Sequence, residues 1–175
     1  MYKRHSENVV VFLVLYVDDI LLIENDVGTL SSIKVWLSTQ FNMKDLEEAS
    51  HILGIKLMRD RQKRMLGLSQ ASYIDEILTK YSMQDSKKGF VPFRVGKSLS
   101  SNQRPKTNAE IERMRGISYA SAVESLMYVM LCTRPDICFA MGMVSKYQSE
   151  PGEEHWIAVK HILKYLRRMR DYMLV

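Results

Sequence analysis

Two apolar, β-branched runs around a short acidic stretch constrain this chain more than any other feature. Val9-Val10-Val11-Phe12-Leu13-Val14-Leu15 leads into Tyr16-Val17-Asp18-Asp19, and Ile20-Leu21-Leu22-Ile23 follows. Continuous apolar runs flanking a few residues predict a buried β-hairpin. Asp is depleted in strands and common in turns, so the acidic pair belongs at the tip. Two adjacent carboxylates on a rigid hairpin also supply the hard oxygen ligands that Mg²⁺ takes in phosphoryl transfer. A Tyr-x-Asp-Asp match arises by chance on the order of once in a hundred chains of this size. An ordinary acidic turn is therefore the weaker reading.

The 175 residues suffice for one ordinary domain or two small ones. A hydrophobic content of 46% supports a core and argues against wholesale disorder. A formal charge of +5 and a pI near 9.2 suit a polyanionic partner. The positive charge is uneven. Lys160, Lys164, Arg167, Arg168 and Arg170 cluster with no acid among them, while Lys56, Arg59, Arg61, Lys63 and Arg64 surround a single Asp60. Cys132 and Cys138 are too few for a disulfide scaffold and lack zinc-knuckle spacing, so both are expected to be small buried residues. His5, His51, His155 and His161 form no metal signature and receive no ligand role. The apolar run Val9–Leu15 is too short to span a membrane, and no small-residue cleavage site follows it, so neither a membrane helix nor a signal peptide is expected.

Past the hairpin, Asp26 caps a predicted helix over Val27–Thr39 whose apolar face is Leu30, Ile33, Trp36 and Leu37. His51–Met58 reads as β-rich and is joined by a basic turn to Met65–Leu68, predicting a second hairpin. Ser69 is the expected N-cap of a helix through Tyr81, with Tyr73, Ile74, Ile77 and Leu78 inward. The pattern dissolves from Gln84 to Asn108 and resumes as helix from Ala109. Further helices are predicted over Tyr119–Leu131, from Pro135 to Tyr147, and from Pro151 to about Arg168. The fold class is α+β, with strands and a packing helix first and a helical bundle second.

The acidic hairpin resembles the catalytic Tyr-x-Asp-Asp motif of reverse transcriptases. The resemblance continues through Phe41-Asn42-Met43-Lys44-Asp45-Leu46, Ile52-Leu53-Gly54-Ile55, Leu68-Ser69-Gln70 and Tyr119-Ala120-Ser121-Ala122-Val123. Cys132-Thr133-Arg134-Pro135-Asp136-Ile137 and the run from His155-Trp156 to Leu166-Arg167 complete it. In this order the blocks are similar to the copia-type retrotransposon polymerase of a Gag-Pol polyprotein. The resemblance implies a partial palm over residues 1–83, carrying the catalytic hairpin and a primer-grip-like hairpin. A linker or long surface loop over 84–118 follows, then a helical thumb and the start of the connection over 119–175.

It also implies that Asp18 and Asp19 are the catalytic, metal-holding pair for Mg²⁺ or Mn²⁺. Tyr16 buttresses their turn and Val17 lies near the primer end. Leu53 and Gly54 are primer-grip-like, and Lys44 lies either near the leaving pyrophosphate or simply at the surface. Glu124 and Tyr128 sit on a thumb helix facing nucleic acid, and Lys160, Lys164, Arg167 and Arg168 make basic contacts. The implied partners are an RNA or DNA template–primer duplex and deoxynucleoside triphosphates, with the parent element in the cytoplasm or a virus-like particle. The family's first acidic strand and its fingers are expected before Met1, and a ribonuclease H domain after Val175. The expectation is thus a relic or cropped polymerase segment, inactive alone; the alternative is a catalytically inert nucleic-acid-binding remnant. Glu124 departs from the family's glycine at that position, bringing bulk and negative charge towards phosphate.

Overall fold

The computed structural model describes residues 1–6, 8–94, 96 and 98–175. The fold is α+β. Its described residues form two three-stranded antiparallel sheets and six α-helices. β1 (Tyr2–Ser6), β2 (Val9–Tyr16) and β3 (Asp19–Glu24) precede α1 (Val27–Gln40). β4 (His51–Ile52), β5 (Ile55–Asp60), β6 (Met65–Ser69) and α2 (Ala71–Lys80) come next. α3 (Asn108–Arg115), α4 (Tyr119–Cys132), α5 (Cys138–Val144) and α6 (Glu153–Arg168) complete the chain. The chain divides into two compact units, Met1–Ala49 and Ser50–Val175.

In the first unit the sheet order is β1-β2-β3. Leu13↔Leu22 and Val11↔Glu24 are cross-strand partners, as are Phe12↔Ile23 and Val14↔Leu21. Side chains alternate across a strand, so both faces of this sheet are apolar. α1 begins where expected, because the Asp26 carboxylate accepts from the Thr29 N–H at 2.8 Å. That bond to the backbone holds the Asp26 carboxyl below its usual range. Val11 and Leu37 are buried, whereas Trp36 stays 59% exposed and departs from the expected inward face. At the open end of the hairpin, Asn25 accepts from the Val10 N–H and donates to the Asn8 carbonyl, fixing the register.

In the second unit, His51–Met58 is not one strand. Ile52↔Ile55 is a cross-strand pair, so Leu53 and Gly54 alone form the turn of a two-residue hairpin. Their φ values of +52° and +72° give the doubly left-handed turn that matches strand twist. Sheet order is β4-β5-β6, and Leu174 pairs with Leu68 on the outer edge of β6. Ser69 is not the cap of α2. Gln70 holds that position with its own side chain turned inward to accept from Thr133, while Ser69 Oγ accepts from the Ala71 N–H.

The core of this unit is a helical stripe. Ala122, Val123, Leu126 and Val129 of α4 are fully buried with Val159, Ile162 and Leu163 of α6. A large side chain buried this way contributes about 1.5–3 kcal/mol. The stretch 84–118 supplies Leu99 to that core and contains α3, which starts with a Thr107–Glu110 capping box. Cys132 is half-buried and Cys138 exposed, contrary to expectation, because the buried stripe of α5 is Ala140, Met141 and Val144.

His155 is completely buried, and its role is structural. Its Nε2 faces the Ser100 carbonyl at 3.2 Å, so that nitrogen carries the proton. Its Nδ1 therefore accepts from the Gly152 N–H at 2.8 Å. Burial pushes its pKa down, with the Ser100 carbonyl pulling the other way. A folded pKa below the unfolded value near 6.5 makes this contribution complete above that pH. It is lost as pH falls below it. Thermal melts should therefore lose up to about 1.4 kcal/mol of stability per pH unit below 6.5 from this group. His155→Gln should be less stable at pH 8 but flatter in that window; an unchanged acid slope would contradict the assignment.

Candidate active site

Tyr16↔Asp19 is the last pair of the β2–β3 ladder, leaving Val17 and Asp18 as a two-residue turn. Val17 takes φ +50°, a left-handed conformation that a β-branched residue adopts only under strain. A loop this short cannot retract its side chains. Tyr16 and Val17 are 55% and 77% exposed, and Asp18 and Asp19 are exposed beside them. Tyr16 and Asp19 share one face of the sheet as direct cross-strand neighbours.

The donor set suits a hard divalent cation in part. Mg²⁺ is commonly held by one or two carboxylates, with water and substrate phosphates completing its shell. Among the described residues no group of three or more His, Cys, Asp or Glu side chains comes together. Asp45 pairs instead with Lys34 at 2.9 Å, which holds its carboxyl below the usual range. Lys44 is exposed.

The other candidates lie in the second unit, and some come together. Tyr128 of α4 donates its hydroxyl to the Leu53 carbonyl, although the two are 75 residues apart in sequence. Its ring meets Tyr73 of α2 edge-on at 5.1 Å. The β4–β5 turn is thereby fastened to α4, which meets α2 through the same tyrosine. Glu124, one turn before Tyr128, is exposed. On α6, Lys160, Lys164 and Arg167 are half-buried and Arg168 is exposed, with its guanidinium 4.0 Å from the Phe90 ring centre. Gly89 donates its N–H to the Lys164 carbonyl at 2.8 Å. Sequence reasoning assigned nothing to Gly89 or Phe90, and the Lys87-Lys88 doublet was the one available signal.

Arg134 is buried and makes a two-pronged pair with Asp136 at 2.7 and 3.0 Å, while donating to the Met169 carbonyl at the end of α6. Burial raises the Asp136 pKa, but hydrogen bonds from Arg134 and Tyr165 outweigh it and hold the carboxyl low. This group ties the start of the Pro135 turn to the end of α6 and commits both Asp136 oxygens to Arg134 and Tyr165.

The chain thus combines an exposed acidic pair on an apolar hairpin with a basic, largely helical second unit in an α+β fold. The chain belongs to the reverse transcriptase (RNA-dependent DNA polymerase) family, whose model matches residues 1–95. It is 47% identical over 166 residues to the retrovirus-related Pol polyprotein from transposon TNT 1-94 of Nicotiana tabacum, covering 95% of this chain and 12% of that protein. The corresponding polyprotein from transposon RE1 of Arabidopsis thaliana is 36% identical over 90% of this chain and 10% of its own length. An uncharacterized mitochondrial protein of Arabidopsis thaliana is 32% identical over 89% of this chain and 61% of its own length. These relatives bear out the copia-type resemblance. The chain spans about an eighth of the tobacco polyprotein. No solved structure matches it. Members of the family use divalent metal ions and act with nucleic acid and deoxynucleoside triphosphates. No helix among the described residues is long and apolar enough to cross a membrane.

Proposed function

We propose that this chain is the part of a retrotransposon reverse transcriptase that carries the acidic hairpin of the polymerase site, and that it serves RNA-directed DNA synthesis within a longer polyprotein. The supporting observation is the two-residue β2–β3 turn, which presents Asp18 and Asp19 outward on a rigid ladder. In this reading residues 1–83 are palm, 84–118 join it onward, and 119–175 are thumb and the start of the connection. Asp18 and Asp19 would hold Mg²⁺ or Mn²⁺, which when bound offsets phosphate charge and acidifies the primer 3′-hydroxyl. Tyr16 supports the turn from the Asp19 face, and Val17 lies at the primer end. Leu53 and Gly54 offer backbone to the primer, with Tyr128 holding that turn through the Leu53 carbonyl.

The test is a chimera in which this chain replaces the matching 166 residues of the tobacco polyprotein. RNA-templated DNA synthesis is expected. A folded chimera without synthesis, beside an active parent, would overturn the proposal. The second reading, an inert nucleic-acid-binding remnant, is favoured by the basic side of α6 and predicts binding by the chain without synthesis by the chimera.

Glu124 gives a separate check on the thumb assignment. If α4 faces a duplex there, Glu124→Ala removes a charge near phosphate and should tighten binding to a primer–template duplex several-fold at low salt. Glu124→Gly should do so while costing roughly 1 kcal/mol of helix stability relative to Ala. Recovery with Gly alone assigns the effect to bulk. No change with either variant removes this face of α4 from the nucleic-acid surface.

A further inference from the structure

The irregular segment 84–90 and helix α6 together form a surface that neither makes alone. Tyr81, just before this segment, meets Trp156 edge-on at 5.9 Å. Gly89 is hydrogen-bonded to Lys164, and Phe90 lies under Arg168. These three contacts set the segment along α6 from its first turns to its end. Gly89 seats tightly: a Cβ there would lie 3.1 Å from both the Lys164 Cβ and the Tyr165 nitrogen, so segment and helix would have to part by a few tenths of an ångström. The close seating brings Lys87 and Lys88 onto the helix that carries Lys160, Lys164, Arg167 and Arg168.

Charge on this surface is uncompensated. Elsewhere in the unit Arg104, Arg113 and Arg170 are each paired with an acid, Glu150, Glu153 and Asp75 respectively. Among the described residues none of these six cations has an ion pair, and Asp85 is the one acid in the 84–90 stretch. Lys160 to Arg168 spans about 12 Å along the helix. At its end Phe90 is 74% exposed although Arg168 stacks on it. A duplex conceals its base faces and gains nothing from such a ring, whereas an unpaired base stacks on it.

We propose that the Lys87–Phe90 segment and the Lys160–Arg168 side of α6 form a binding track for single-stranded nucleic acid, with lysines on the phosphates and Phe90 stacked on a base. The inference rests on the polymerase reading in taking that strand to be template.

Anisotropy of the 175-residue chain with a labelled oligouridine of about a dozen nucleotides, and with a duplex of equal length, tests it. Lys87→Gln with Lys88→Gln should weaken oligouridine binding about tenfold at low salt and reduce the salt slope by about 1.4. Phe90→Ala should weaken it about tenfold without altering the slope or duplex binding. Gly89→Ala should weaken it with every charge retained. The lysines and Phe90 are exposed, so their variants should keep the parent melting temperature. Unchanged affinity in the lysine variant, or duplex preferred over single strand with no effect of Phe90→Ala, would overturn the proposal. Oligouridine binding should be indifferent to Asp18→Asn. A chimera that synthesises DNA while the track variants bind normally defeats this inference alone. An inert chimera with the expected binding losses defeats the polymerase reading alone.

Discussion

Asp18→Asn in the chimera is expected to lower RNA-templated DNA synthesis by about a thousandfold or more, with primer–template affinity unchanged. Asn keeps the size and one oxygen of Asp but loses the charge. Asp18 and Asp19 would hold an ion whose charge would stabilise the transition state by several kcal/mol, and each 1.36 kcal/mol is tenfold in rate. Asp19→Asn should behave alike, because Asp19 is fixed opposite Tyr16 by the same ladder. The 175-residue chain by itself should extend no primer with Mg²⁺ or Mn²⁺, since it spans only 12% of the polyprotein it matches. Template-dependent incorporation by the isolated chain, abolished by Asp18→Asn, would disprove that second expectation. A folded Asp18→Asn chimera retaining a tenth of parental activity would disprove the first.

The largest stability effect is expected at Gly152. Its backbone is extended, φ −100° and ψ 178°, so any residue could adopt it; space is what forbids one. A Cβ there would fall far inside van der Waals contact distance of the Gln103 carbonyl oxygen, and the Arg104 Cα is 3.5 Å away. These are backbone atoms that cannot rotate aside, and the same Gly152 supplies the N–H held by His155. Gly152→Ala should cost about 3 kcal/mol or more, lowering the melting temperature on the order of 10 °C. Gly142 in α5 is the matched control. A Cβ there meets nothing within 4 Å, so Gly142→Ala should be neutral or stabilising by up to about 1 kcal/mol. Equal melting temperatures for the two variants would remove the steric argument.

What the sequence disclosed was local. The acidic hairpin, α1 with its Asp26 cap, and α4 and α6 follow from patterns that repeat within a few residues. Leu53-Gly54 carried a turn signal that the β-rich run concealed, because a two-residue turn removes only one alternation. Ser69 misled because its hydroxyl does bond to the Ala71 N–H, while the buried Gln70–Thr133 bond fixes where α2 starts. Trp36 keeps helical spacing with Leu30 and Ile33 but sits at the stripe's border, where spacing alone does not decide exposure. Of the candidate site, the residues themselves were legible and their partners were not. Tyr128 on Leu53, Gly89 on Lys164 and His155 on Ser100 join positions 55 to 75 residues apart in sequence. No short-range pattern encodes them.

The Leu68–Leu174 pairing has a consequence for synthesis on the ribosome. Leu68 exchanges both backbone hydrogen bonds with Leu174, at 2.8 and 3.0 Å. That edge of β6 therefore stays open until about a hundred more residues have been made. At 5–20 residues per second the delay is about 5–20 s. α6, whose side chains complete the core, emerges in the last moments of the same interval. During that time a nascent second unit offers both an unpaired strand edge and the apolar stripe of α4, the two features that recruit chaperones or aggregate. Its folding is thus obligatorily late, and a premature stop within α6 would strand the chain in that state.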